Sequence, residues 1–231
     1  MKLMLIGGGE IGKGTTSYET EKIDKEIVRM TNKDNPNFLF IGLASFYSDS
    51  YYDIIKRIYK DLGCTTSYLK KKNIINNPDI VKDKLMNADI IYIGGGDTIK
   101  LLDDIKEYHL DKLLIKEINN NKVVAGISAG AILLSKSGYS DALILRKESE
   151  NYSFIKGLNI VDINISPHYN DELKKKELFE DLKNTNIEIY GLENNTALKI
   201  NDNEISIIKS NSKAKAYLVS YENKIIEKEL N

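Results

Sequence analysis

Short apolar runs rich in β-branched residues alternate along this 231-residue chain with stretches of helical period. Runs of this kind, bounded by glycine or small polar residues, are typical of strands buried on both faces. The predicted strands are residues 3–6, 38–43, 90–93, 123–127, 163–165 and 187–190, and the predicted helices are 21–30, 51–62, 79–86, 98–119 and 171–183. The alternation predicts an α/β fold, a three-layer, doubly wound and mostly parallel sheet, in which ligands bind beyond the carboxyl ends of the strands.

The last part of the sequence has a different pattern. Residues 197–227 alternate apolar and polar side chains around two turn signals, at 201–203 and 211–212. This pattern predicts C-terminal β-hairpins added to one edge of the sheet, with no catalytic role.

Size, charge and cysteine content limit the class of protein. A chain of this length fits one α/β domain over residues 1–231, since it can bury roughly 70% of its unfolded surface in a single core. The net charge of −1 gives no reason to expect nucleic acid or an anionic membrane as partner. Cys64 is the single cysteine, and no signal-peptide or transmembrane run is present. We expect a cytoplasmic monomer or homodimer with a small ligand.

The strongest motif is Gly126-Ile127-Ser128-Ala129-Gly130, which matches G-x-S-x-G. It lies between a predicted buried strand and a helix-compatible apolar run, the setting of a nucleophile elbow. The serine of such an elbow adopts a strained backbone, so its neighbours must be small. Ser128 is therefore the predicted nucleophile, against the alternative of a structural tight turn.

A serine nucleophile needs a base, and the chain has only two histidines. His109 falls inside a predicted helix, away from any strand end. His168 follows a predicted strand in Ser166-Pro167-His168, where a base can reach the nucleophile. His168 is the predicted base. For the carboxylate that would orient it, the sequence leaves open Asp141, after the elbow helix, and Glu193, after the strand 187–190.

Two glycine runs follow predicted strands. Gly94-Gly95-Gly96-Asp97 ends one strand and begins a helix, so one of its N–H groups could join that of Ala129 in an oxyanion hole. The run from Gly7 to Gly12 contains G-x-G-x-x-G, but no helix follows at once and no ribose-binding acid follows the second strand. We interpret it as a loop flanking the substrate cleft or as a turn.

The ordered motifs Gly-Gly-Gly-Asp-Thr, Gly-Ile-Ser-Ala-Gly-Ala and Ser-Pro-His-Tyr resemble the peptidase E/cyanophycinase family of serine peptidases. This resemblance implies the class I glutamine amidotransferase-like, flavodoxin-like fold and hydrolysis of small peptides without a metal or organic cofactor. It implies a triad of Ser128, His168 and Asp141. It also implies Gly96 and Ala129 as oxyanion donors.

The sequence departs from the family at two places that bear on the substrate. Asp97 stands where relatives commonly have asparagine, and no arginine occurs in 171–176, where aspartyl dipeptidases of the family bind the acidic side chain. Gly95, Asp97, Arg146 and Glu193 are the candidate substrate-binding residues. An esterase or acyltransferase with the same triad, and a non-catalytic nucleotide- or peptide-binding protein, are the alternative functions.

Overall fold

The structure is a computed structural model that describes residues 1–12, 14–202 and 204–231. Its strands are β1 Lys2–Ile6, β2 Asn37–Ile41, β3 Thr65–Leu69, β4 Ile90–Ile93, β5 Val123–Ile127, β6 Ser135–Ser140, β7 Ser153–Lys156, β8 Val161–Pro167, β9 Ile189–Leu192, β10 Thr196–Asn201, β11 Glu204–Lys209, β12 Ala216–Tyr221 and β13 Ile225–Leu230. Its helices are α1 Glu21–Arg29, α2 Ser48–Asp61, α3 Lys71–Asn76, α4 Pro78–Asn87, α5 Thr98–Glu107, α6 Leu110–Asn119, α7 Ala129–Leu134, α8 Ala142–Leu145 and α9 Glu172–Leu182.

The strands form two mixed sheets. The first has the order β11-β10-β1-β5-β4-β2-β3, in which β1, β5, β4, β2 and β3 are parallel. The second has the order β13-β12-β9-β8-β6-β7, with parallel pairing of β6, β8 and β9. Each parallel group brings the carboxyl ends of its strands to one edge, which is where a site is expected.

The central strands of the first sheet are buried on both faces because they are almost entirely apolar, whereas the edge strand β3 begins with the polar residues Thr65, Thr66 and Ser67. In β1, Leu3 and Leu5 belong to one hydrophobic cluster, whereas Met4 and Ile6 belong to a second one on the opposite face. Successive side chains of a strand point to opposite faces, so one continuous apolar run supplies both clusters. The helices that cover these faces leave the carboxyl edge open.

The α/β class is confirmed, but the arrangement differs from the predicted single sheet, because a second sheet is present. Three strands, β3, β6 and β7, were not predicted. The predicted helix 98–119 is two helices, because His109 adopts the left-handed conformation with φ 53° and separates them. Asn203 of the predicted turn 201–203, like Lys13, lies outside the described residues. Within the described ranges, no helix combines the length and apolarity needed to cross a membrane.

Candidate active site

Ser128 lies on a tight turn between β5 and α7, as the motif predicts. Its backbone has φ 52° and ψ −110°, a conformation that is strained for a residue with a side chain. Gly126 and Gly130 permit the turn: a Cβ on Gly126 would lie 2.3 Å from the carbonyl oxygen of Gly130, and one on Gly130 would lie 2.3 Å from that of Ile93. The small residues therefore let helix and strand pack closely enough to present the hydroxyl at the sheet edge.

His168 reaches this hydroxyl from the second sheet. It directly follows β8, and its Nε2 lies 2.8 Å from Oγ of Ser128, within hydrogen-bonding distance. The backbone of His168 has φ 111°, outside the usual range for a residue with a side chain. Its N–H and that of Tyr169 both donate to the carbonyl oxygen of Leu192, which holds the turn against β9. The pair predicted from sequence is thus brought together.

The other ring nitrogen of His168 contacts a residue that the sequence analysis did not consider. Nδ1 lies 2.7 Å from Oδ1 of Asn194. Strands β8 and β9 are parallel with Pro167 opposite Leu192, so the residues that follow them lie side by side. An amide oxygen accepts from Nδ1–H and leaves the lone pair of Nε2 facing the serine. The sequence signal for Asn194 is a polar side chain shortly after a strand, but a triad is expected to contain a carboxylate at this place.

Neither carboxylate named from the sequence occupies that position. Asp141 precedes α8 and makes no capping bond to it, and its charge acts on His168 through space. Glu193 turns toward the backbone of Lys215, whose N–H donates to its Oε2 at 2.8 Å. The hydrogen-bonded chain in the structure is therefore Ser128, His168, Asn194.

The predicted oxyanion donors flank the serine. Gly95 is close to it, since a Cβ on Gly95 would lie 3.4 Å from Cβ of Ser128. Gly96 has φ 138°, and a Cβ there would lie 2.4 Å from the carbonyl oxygen of Ala44, so only glycine fits. Ala129 is the first residue of α7, where an N–H group has no acceptor within the helix. The N–H of Ser128 itself donates to Ile6 and is occupied.

Asp97 and Arg146, two candidate substrate-binding residues, bind each other. Asp97 is buried; its Oδ1 accepts from the N–H of Lys100, which caps α5, and its Oδ2 accepts from Nε of Arg146 at 3.0 Å. The backbone N–H of Asp97 donates to the carbonyl oxygen of Ala44. These contacts hold the loop that carries Gly96 in place.

The first glycine run packs directly against the histidine. A Cβ on Gly8 would lie 2.4 Å from Cε1 and Nδ1 of His168 and 2.3 Å from Oδ1 of Asn194. The carbonyl oxygen of Gly8 also accepts from the N–H of Asn195 at 2.9 Å. Gly8 therefore packs against both the imidazole of His168 and the amide of Asn194, and a larger residue would displace them. The glycine motif alone did not predict this contact.

The environment of His168 favours its neutral form. Burial lowers the pKa of His168, and the positive charge of Lys174 lowers it further. The hydrogen bond to Asn194 and the charge of Asp141 act in the opposite direction on this pKa. The imidazole is therefore available as a base at neutral pH.

A cleft of about 250 Å³ lies among the loops that follow β1, β2 and β4, and it is lined by Gly95, the neighbour of Ser128. Gly95 forms one end of it, and its walls include Ile11, Tyr47, Tyr51 and Ile54. This volume lies below the range of roughly 300–1,000 Å³ that is usual for drug-sized ligands. The cleft has the size for one residue of a small ligand.

A serine on a strand-to-helix turn that is hydrogen-bonded to a histidine at the edge of an α/β sheet is the arrangement of a serine hydrolase. Comparison with known proteins identifies the family: the model of peptidase family S51 matches residues 3–208, and the chain belongs to this family. The expected resemblance to peptidase E is confirmed.

Two relatives illustrate the match. An uncharacterized peptidase of Bacillus subtilis, YgaJ, is 31% identical over 224 residues, which cover 95% of this chain and 92% of that protein. Peptidase E of Nostoc sp. is 27% identical over 218 residues, which cover 89% of this chain and 84% of that protein. The protein is therefore a serine-type peptidase.

Two solved structures share the fold. A candidate peptidase E protein of Listeria monocytogenes is 25% identical with a TM-score of 0.65, covering 90% of this chain and 98% of that one. A peptidase from an acI-B1 Actinobacterium has a TM-score of 0.73 at 20% identity, covering 100% of this chain and 93% of that one.

Proposed function

We propose that this peptidase hydrolyses small peptides through an acyl-enzyme on Ser128. The observation that carries the proposal is the 2.8 Å contact between Nε2 of His168 and Oγ of Ser128. A hydroxyl at this distance can transfer its proton to a neutral imidazole as it attacks. The small cleft beside Gly95 supports a short substrate.

The reaction proceeds in two halves. His168 takes the proton of Ser128 as Oγ bonds to the substrate carbonyl carbon, and the N–H groups of Gly96 and Ala129 receive the negative charge on its oxygen. His168 then gives that proton to the nitrogen, the C–N bond breaks and the amine leaves. Water then attacks the acyl carbon while His168 takes its proton, the ester bond to Oγ breaks to release a carboxylic acid, and His168 returns the proton to Oγ.

In a Ser-His-Asp triad one carboxylate both orients the histidine and stabilises the imidazolium, whereas here Asn194 and Asp141 each perform one of these two functions. Asn194 fixes the tautomer and the ring orientation through its 2.7 Å contact. Asp141 makes no such contact, but its negative charge favours the imidazolium that forms during attack, since it acts to raise the pKa of His168. We assign it that electrostatic role in place of the hydrogen-bonded acid that the family resemblance implies.

The finer fold assignment, a flavodoxin-like fold of the class I glutamine amidotransferase type in one domain over residues 1–231, also remains our proposal. It is supported by the five adjacent parallel strands with helices on both faces.

A dipeptide-library assay tests the proposed activity. We expect hydrolysis by the wild type and loss of at least a thousandfold in kcat/KM for Ser128→Ala and for His168→Ala. His109→Asn is the matched control, because it removes the only other histidine and asparagine tolerates the left-handed backbone there. Full activity of His168→Ala would remove the assigned base. Higher specificity constants for small esters than for every dipeptide would favour an esterase.

A further inference from the structure

Lys174 is a buried lysine in the first turn of α9, behind the turn that carries His168. It is only 4% exposed, although lysine is almost never buried without an ionic partner. Its ammonium donates a hydrogen bond to the carbonyl oxygen of Pro167, the residue that precedes the histidine. The ring of Tyr152 lies 5.6 Å from the same ammonium.

A buried ammonium with this partner is costly for the fold. Removing a charge from water destabilises the folded state unless an opposite charge in close contact offsets it. Asp141 and Asp171 favour the charge of Lys174 through space, but burial dominates and lowers the pKa of Lys174 to about 8. A methionine of similar length would fill the space without this cost, so packing does not explain the charge.

The hydrogen bond from Lys174 to Pro167 lies next to His168, whose backbone is strained. His168 has φ 111°, and such a backbone persists only when its surroundings fix it. The carbonyl oxygen of Pro167 belongs to the peptide unit that this φ angle positions. Asp171 fixes the other side of the turn, since its N–H donates to the carbonyl oxygen of His168 and its side chain caps α9.

We propose that Lys174 is a positioning residue for the proposed reaction: it anchors the Pro167 carbonyl so that His168 points at Ser128. Its positive charge also lowers the pKa of His168. The charges of Asp141 and Asp171 act on both Lys174 and His168, the ring of Tyr152 faces Lys174, and the amide of Asn194 contacts His168. This proposal rests on the proposed function for its catalytic consequence, but its electrostatic part can be measured without turnover.

The test is an NMR titration of His168 in a His109→Asn background, which leaves one imidazole in the chain. Lys174→Met removes the charge, so the midpoint of His168 should move to higher pH, and Lys174→Arg should leave it near the wild-type value. Lys176→Met, an exposed lysine of the same helix, is the matched control. An unchanged midpoint in folded Lys174→Met would overturn the electrostatic part.

Kinetics test the positioning part. We expect Lys174→Met to lower kcat roughly ten- to a hundredfold, which is the loss expected when a catalytic group is displaced. The acid limb of the pH profile of kcat should also shift to higher pH. KM should change less than kcat, and the folded fraction by circular dichroism should equal that of the wild type. If Lys174→Met does not fold, Lys174→Gln is titrated instead. A wild-type kcat in the folded variant contradicts the positioning role, whereas loss of all activity in wild type and variants alike refutes the proposed function only.

Discussion

The Nδ1 atom of His168 lies 2.7 Å from the side-chain oxygen of Asn194, so a neutral amide holds the base of this peptidase. An amide also occupies this place in Cys-His-Asn proteases. The arrangement separates the two functions of a triad acid, and each can be tested by substitution.

Replacing Asn194 tests the orienting function. Asn194→Ala removes the acceptor for Nδ1–H, and we expect kcat/KM to fall about a hundredfold because the ring is no longer held in place. Asn194→Asp restores the acceptor and adds a charge that stabilises imidazolium. The pKa of His168 should then rise, and the acid limb of kcat/KM should move to higher pH. Asn184→Asp, an exposed position, is the control for added charge. Wild-type kinetics for Asn194→Ala would contradict this role.

Replacing Asp141 tests the electrostatic function. Asp141→Asn removes a charge that raises the pKa of His168, so the acid limb should move to lower pH, and kcat should fall less than about tenfold. A hydrogen-bonded triad acid would cost on the order of ten-thousandfold. The profile of kcat/KM between pH 4 and pH 9 distinguishes the two, with exposed Asp162→Asn as reference. A ten-thousandfold loss would restore Asp141 as the acid.

The absence of a side chain at Gly8 leaves room for His168 and Asn194. In Gly8→Ala the new Cβ would overlap the ring of His168 and the amide of Asn194, so we expect a loss of at least about a hundredfold in kcat/KM. Gly14→Ala is the matched control, since Gly14 also has positive φ but has nothing within 4 Å of the added atom. Each variant also strains the backbone, at a cost of about 1–3 kcal/mol. Equal activities in the two would disprove the contact.

A buried carboxylate in α1 makes stability depend on pH. Asp24 is fully buried and accepts from Tyr18, Thr20 and Tyr59, yet burial raises its pKa from 3.8 to about 6. A raised pKa means that the folded state is favoured below pH 3.8 and loses this advantage as the pH rises through 6.

The corresponding variant is Asp24→Asn, which cannot ionise. Relative to it, the wild type should lose on the order of 3 kcal/mol of unfolding free energy between pH 4 and pH 7. Urea titrations at several pH values measure the difference, with exposed Asp34→Asn as control. A difference that does not vary with pH would refute the raised pKa of Asp24.

The cleft walls predict a KM effect. Ile54 lines the cleft, so Ile54→Ala should raise KM for dipeptides with an apolar side chain about tenfold, from lost burial of several methylene-sized groups, while kcat changes little. Ile75→Ala, an exposed isoleucine that lines a separate pocket, should leave KM unchanged. An unaltered KM in Ile54→Ala across the library would place the substrate elsewhere.

Local sequence predicts much of this fold and half of the site. The strands β1, β4 and β5 are continuous apolar runs, so burial on both faces identifies them. Ser128 follows the continuous apolar run of β5, His168 follows the end of β8, and elimination of His109 pairs the two. Strand β6, Ser-Lys-Ser-Gly-Tyr-Ser, has no apolar run and was therefore not predicted. It is a strand because it pairs with β7 and β8, which follow it later in the chain.

The rest depends on tertiary contacts that no local pattern encodes. Asn194 meets His168 only because β8 and β9 pair in parallel with Pro167 opposite Leu192. The Asp97–Arg146 ion pair joins residues 49 positions apart. A helical pattern also gave no sign that His109 would take a left-handed conformation and end α5.

Covalent labelling of Ser128 tests the central claim most directly. A fluorophosphonate probe should form one adduct on the wild type, located at Ser128 by peptide mass spectrometry, with a rate that falls as His168 becomes protonated. Ser128→Ala should give no adduct, and His168→Ala should label at least about a hundredfold more slowly. Undiminished labelling of Ser128→Ala, or an equal rate in His168→Ala, would contradict the account.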